Sequence, residues 1–133
     1  MGAEPWDYFV PYEKDIRAAL DKLRQREFQA GRFRGAEDHP ASIEEVLENM
    51  DADGTGSILD ITHVADEPDF MAVVPLSSEE LVRLFKTDKP TRTMVEANMV
   101  DVYEDIERGQ GIYIVLYKDG KPSEIFFGGY SFD

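Results

Sequence analysis

The sequence predicts an α+β fold. It reads as one two-layer domain over residues 1–133, with about four helices packed on an antiparallel sheet of about four strands, in the order α-α-β-β-α-α-β-β. Three observations predict it. Ser42 and Ser77 each stand three residues before a glutamate (Glu45, Glu80) and open an apolar stripe at helical spacing, the pattern of a capping box. Asp119-Gly120 separates two alternating runs, the signature of a two-residue hairpin. The chain is 42% hydrophobic with 8 Phe, 6 Tyr and 1 Trp, enough for a core of domain size.

Residues 1–10 read as an aromatic lead-in. The run Trp6-Asp7-Tyr8-Phe9-Val10-Pro11-Tyr12 is too rich in rings for a free tail and is expected to lie extended on the body. Pro11 suits a first helical position. Tyr12, Ile16, Ala19, Leu20 and Leu23 then share one helical face up to about Gln29, with Gly31 as the stop. Lys22, Arg24, Arg26, Arg32 and Arg34 make the end of that helix basic. This complements the helix dipole and neutralises acids elsewhere, and it lacks the fold context of a nucleic-acid site.

Ser42 caps a second helix with Ile43, Val46, Leu47 and Met50 inward. The β-branched run from Ser57 to Val64 reads as a strand, and Phe70 to Val74 as its hairpin partner across an acidic turn. Ser77 starts a short third helix ending near Lys89-Pro90. Val95, Met99, Val102 and Ile106 mark a fourth, starting at Thr91 or Thr93 and running to Arg108, with Gly109 as its stop. The last hairpin runs Ile112 to Lys118 and Lys121 to Phe127. Strict alternation places Ile112, Ile114, Leu116, Ile125 and Phe127 on one face. Tyr113, Val115, Tyr117, Glu124 and Phe126 fall on the other, which is too aromatic to face plain solvent.

The net charge is −14 and unevenly spread. Residues 1–34 carry seven Lys/Arg and six Asp/Glu; residues 35–133 carry seven and twenty-two. From Gly35 to Val82 there is no lysine or arginine, against thirteen carboxylates. Such a surface repels phosphates and attracts cations and basic proteins. Neither a nucleic-acid nor a membrane partner is expected. No apolar run is long enough for a span, and no leader or myristoylation pattern is legible at the start. The absence of cysteine excludes disulfides and thiolate chemistry and fits a cytoplasmic protein.

The run Asp51-Ala52-Asp53-Gly54-Thr55-Gly56-Ser57-Ile58 resembles the first part of an EF-hand calcium loop. That resemblance implies calcium held by Asp51, Asp53, Thr55 and the Ser57 carbonyl. The loop departs from the family at Leu59 and Thr62, where the later ligands would stand, and a strand rather than a helix is expected after it. The competing reading is a glycine-rich turn with no cofactor. His39 and His63 show no metal-ligand spacing. No nucleophile elbow or phosphate-binding glycine loop is present, and with 28 acids a carboxylate pair has no diagnostic force.

Three functional classes follow. The first is a small acidic binding protein, not an enzyme. In general character it resembles immunity- or antitoxin-type inhibitors, which implies a basic protein partner. Its acidic face would comprise Glu37, Asp38, Asp51, Asp53, Asp60, Asp66 and Glu67. The second is a metal- or carboxylate-dependent enzyme gathering Asp51, Asp53, Asp60 and His63 in one pocket. The third is a structural subunit forming a homo-oligomer through Tyr113, Tyr117 and Phe126. Binding is the preferred class.

Overall fold

A computed structural model describes residues 3–132. Five strands form one mixed sheet: β1 (Pro5–Pro11), β2 (His63–Val64), β3 (Ala72–Pro75), β4 (Gly111–Lys118) and β5 (Lys121–Tyr130). Five α-helices accompany them: α1 (Ile16–Ala30), α2 (Ile43–Asn49), α3 (Ser78–Phe85), α4 (Arg92–Ala97) and α5 (Met99–Tyr103). The sheet order is β1-β5-β4-β3-β2. β1/β5 and β5/β4 pair antiparallel, whereas β4/β3 and β3/β2 pair parallel. The α+β class and the last antiparallel hairpin stand, but the hairpin expected between 57–64 and 70–74, the wholly antiparallel four-strand sheet, the four helices and the two layers do not.

Both faces of the sheet are covered. On one face α1 (Ala19, Leu20, Leu23) and Ile58 and Ile61 pack on Trp6, Val10, Val73, Ile125 and Phe127. On the other, Phe85 of α3, Val95 of α4 and Val102 of α5 pack on Val74, Ile112, Ile114, Leu116 and Phe126. Each fully buried side chain of this size stabilises the fold by about 1.5–3 kcal/mol. α2 lies outside the first layer, with Ile43 and Val46 against Leu59 and half-buried Phe28 and Phe33.

The lead-in is a strand: it pairs with β5 from Pro5↔Tyr130 to Pro11↔Glu124, so Pro11 ends a strand instead of opening α1. α1 starts later, where Asp15 accepts from the Ala18 N–H. The centre of the expected strand at 57–64 is a 3-10 turn over Ile58–Asp60, because the Ser57 hydroxyl accepts from the Leu59 N–H and caps it. Only His63–Val64 pairs with β3, and in parallel. The chain regains that direction through Met71, whose φ of 62° is the left-handed conformation. The expected fourth helix divides at Asn98, whose side-chain amide donates to the Met94 carbonyl at 2.7 Å and ends α4.

Asp119 and Gly120 turn the last hairpin with φ of 52° and 77°, pairing Lys118 with Lys121 and Tyr117 with Pro122 as the turn type requires. The next pair is Leu116↔Glu124, so Ser123 is a bulge. One extra residue reverses the facing of everything beyond it. Phe126 therefore joins Ile112, Ile114 and Leu116, while Ile125 and Phe127 join Tyr113, the reverse of strict alternation.

Trp6 fixes the start of β1 by lying over the paired glycines Gly111 and Gly129. A Cβ at Gly129 would stand 2.5 Å from the indole and 2.5 Å from the Gln110 carbonyl oxygen. The outer edge of β1 is protected by sequence. Tyr12 N–H bonds the Ser123 carbonyl and Ser131 N–H bonds the Glu4 carbonyl, so alternation turns positions 5, 7, 9 and 11 away from β5. The outermost two are Pro5 and Pro11, which have no N–H to offer a further strand. At the opposite edge β2 is only two residues long.

Candidate functional site

The acids expected to form one face are dispersed. Glu37 and Asp38 lie exposed on a 3-10 turn, and Asp51 and Asp53 are exposed on the following loop. Asp60 is fully buried, with 0% of its surface exposed, and takes no part in an acidic surface. Its Oδ1 accepts the Thr55 N–H at 2.7 Å and the Thr55 hydroxyl at 2.8 Å; its Oδ2 accepts the Ser131 hydroxyl at 2.7 Å. Thr55 and Ser57 are buried and bonded to one another at 2.8 Å. Gly54 fits because a Cβ there would meet the Asp60 carboxylate at 2.9 Å. The residues that resemble a calcium loop thus form a turn fastened inward onto a carboxylate. Thr55 Oγ1 is committed to Asp60, and no group of three or more His, Asp or Glu side chains converges among the described residues.

Folding also supplies this loop with cations that its neighbouring sequence lacks. Arg34 donates to the Asp53 carbonyl at 3.1 Å and pairs with Glu4 at 3.3 Å. Arg24 reaches the Leu59 carbonyl at 3.2 Å, and burial of its guanidinium lowers its proton affinity. Arg32 and Arg26 clasp Glu27, which is 2% exposed, with Arg32 bidentate at 2.9 and 2.8 Å. The Arg32 hydrogen bonds, first, hold the Glu27 carboxyl below the usual range against the opposing effect of burial. Beside it, Tyr8 accepts from the Ile58 N–H at 3.2 Å, and burial pushes its phenol up to about 12. Arg24 and Arg34 thus tie the end of α1 to the 53–59 segment, while Arg26 and Arg32 neutralise Glu27 locally.

The pocket expected for an enzyme does not assemble. Asp60 is interior, Asp51 and Asp53 face solvent, and the half-exposed His63 ring lies between Thr62 Oγ1 at 2.9 Å and Asp69 Oδ2 at 3.2 Å. His39 is exposed. The aromatic face expected to serve self-association is divided between the two sides of the sheet, with Phe126 buried and Tyr113 and Tyr117 partly exposed. Phe126 is 0% exposed, Tyr113 packs on the α1 side of the sheet, and Lys89 lies over the Tyr117 ring at 6.0 Å.

A different place gathers charge and apolar surface together. A cleft of about 500 Å³ opens between α3 and α5 above β3 and β4. Its floor is Val74, Leu76, Leu84, Val102, Ile106 and Ile112, the outer surface of the second core. Its rim carries Asp66, Glu80, Asp101, Asp105 and Glu107, with Arg83 the one cation among the residues that line it. The α3 cap positions one rim acid: Glu80 accepts the Ser77 N–H at 3.0 Å and is fixed by that bond. Asp101 lies on α5 and Asp105 on the turn that follows it, and both line the opposite wall.

Of the acids expected to form the binding face, only Asp66 reaches this rim. Glu80 was expected to serve the α3 cap alone and does both. Asp101, Asp105 and Glu107 lie beyond the cation-free stretch; their helical spacing beside Val102 and Ile106 was the available signal.

Models of known protein families, curated proteins and solved structures offer no match to this chain. Among the described residues no helix is long and apolar enough to cross a membrane.

Proposed function

We propose that this protein binds a basic segment of a partner protein in the cleft between α3 and α5. One observation carries the reading: an apolar floor is rimmed by five carboxylates and a single arginine, on a chain of net charge −14. An apolar floor releases water when covered, and carboxylates around it select a cationic partner and speed its encounter. A lysine or arginine side chain matches both parts, with an alkyl stem for the floor and a charged head for the rim. The sheet edges support the same reading, because they discourage a partner from adding as a strand.

The test is fluorescence anisotropy with a labelled helical peptide carrying leucine on one face and arginine on its flanks. Binding is expected to weaken with salt. It should fall at least ~10-fold at low salt in the triple variant Glu80→Gln/Asp101→Asn/Asp105→Asn, three rim charges being lost. Asp51→Asn/Asp53→Asn removes charge from the distant loop and should change binding far less. Equal binding by the triple variant and the native protein overturns the proposal.

A further inference from the structure

The rim holds a feature that bears on what the partner presents. Arg83 leaves α3 and reaches Asp105 on the opposite wall, Nη2 to Oδ2 at 3.6 Å. That separation is beyond a hydrogen bond, so the contact is Coulombic only. Both side chains are well exposed, 59% and 77%, and water screens the pair. A contact of this kind holds a side chain weakly. It contrasts with Arg32, whose two bonds to the buried Glu27 measure 2.9 and 2.8 Å. Arg83 thus stands loosely across a cleft in which every other charged lining residue is an acid.

We infer that Arg83 is an internal stand-in for the partner's cation, and that the docking segment presents an arginine or lysine which displaces it from Asp105. This rests on the cleft being the binding site. The stem of the incoming side chain covers Leu84 and Ile106, and its head meets Asp105 and Asp101. Arg83 swings into solvent at small cost, since its native contact is weak and its side chain already exposed. The native protein is then partly self-blocked, and its preference falls on partners whose cation is backed by apolar side chains. A bare polycation meets the rim but gains nothing from covering the floor.

Two labelled peptides of equal charge test this, one with leucines beside its arginines and one with serines in their place. Arg83→Gln is expected to tighten the leucine peptide roughly 3–10-fold at low salt, one like charge being removed beside the docking cation. Arg83→Lys, which keeps the charge, is expected to give no such gain. Asp105→Asn is expected to weaken binding, and the serine peptide to bind more weakly than the leucine peptide to every form. If the rim-acid variants weaken binding but Arg83→Gln leaves it unchanged or weakens it too, Arg83 is not a stand-in, although the cleft remains the site. If the rim-acid variants have no effect, the cleft reading itself falls. Equal binding of the two peptides overturns the apolar requirement.

Discussion

Replacing Asp60 with alanine is expected to be among the most destabilising single changes in this chain. The carboxylate is fully buried and accepts three hydrogen bonds, from the Thr55 N–H, the Thr55 hydroxyl and the Ser131 hydroxyl. Alanine leaves the Thr55 N–H without an acceptor in the interior, at about 1–3 kcal/mol. The Thr55 hydroxyl fares better, since it can still turn to Ser57 at 2.8 Å, whereas the buried Ser131 hydroxyl loses its bond to Asp60. Lost charge-assisted bonds and a small cavity bring the total to roughly 3–5 kcal/mol, a large part of the ~5–15 kcal/mol that holds a domain together. For a chain of this size that corresponds to a fall in Tm of about 10–20 °C. Asp60→Asn should be milder, about 1–2 kcal/mol. Its carbonyl can face Thr55 while its amide donates to Ser131, whose hydroxyl reverses to accept. Thermal and urea unfolding followed by circular dichroism measure all three proteins. An alanine variant within about 1 kcal/mol of native would refute the view that Asp60 fastens the loop and the C-terminal segment together. Equal losses for alanine and asparagine would show that charge, not acceptor geometry, matters.

Two other outcomes follow from geometry already described. Glu27 has its carboxyl held down chiefly by hydrogen bonds from Arg32, so its contribution is present above the ordinary carboxylate range and is lost as pH falls through the lowered value. Glu27→Gln should therefore lower stability at neutral pH by about 1–3 kcal/mol and flatten the acid limb of a stability–pH curve; an unchanged curve would contradict the clasp. Gly129→Ala places a Cβ 2.5 Å from a backbone oxygen and from Trp6, so it should cost about 1–3 kcal/mol and red-shift the Trp6 fluorescence. Native-like unfolding of that variant would show that the indole does not lie where described.

What the sequence made legible was what neighbours in the chain decide. Ser42, Ser77 and Thr91 cap their helices through atoms three residues away, and Asp119-Gly120 sets its own turn. Pairing partners were not legible where they are remote. Nothing near Trp6 announces Gly129, and nothing near His63 announces a parallel neighbour. Ser123 is a subtler case: one bulged residue reversed the faces of Ile125, Phe126 and Phe127, which periodicity alone could not reveal. The cleft was hidden for a similar reason. Its rim draws acids from positions 66, 80, 101, 105 and 107, which meet only once α3 and α5 cross the sheet. Asp51 and Asp53 stand in the cation-free stretch of the sequence, yet their loop receives Arg34 from outside that stretch.

The partnership of β1 with β5 also sets an order of events during synthesis. Trp6 and Val10 find their neighbours Gly129 and Ile125 only after the intervening chain has been made. At about 5–20 residues per second this takes roughly 6–25 s, during which an aromatic strand is on display beside the ribosome. Helix α1 can form early, since its contacts are local, but the first core cannot close until β5 arrives. Pro5 and Pro11 then act on the nascent chain as well as the finished one, bracketing a segment that would otherwise be free to pair with a neighbouring copy while it waits.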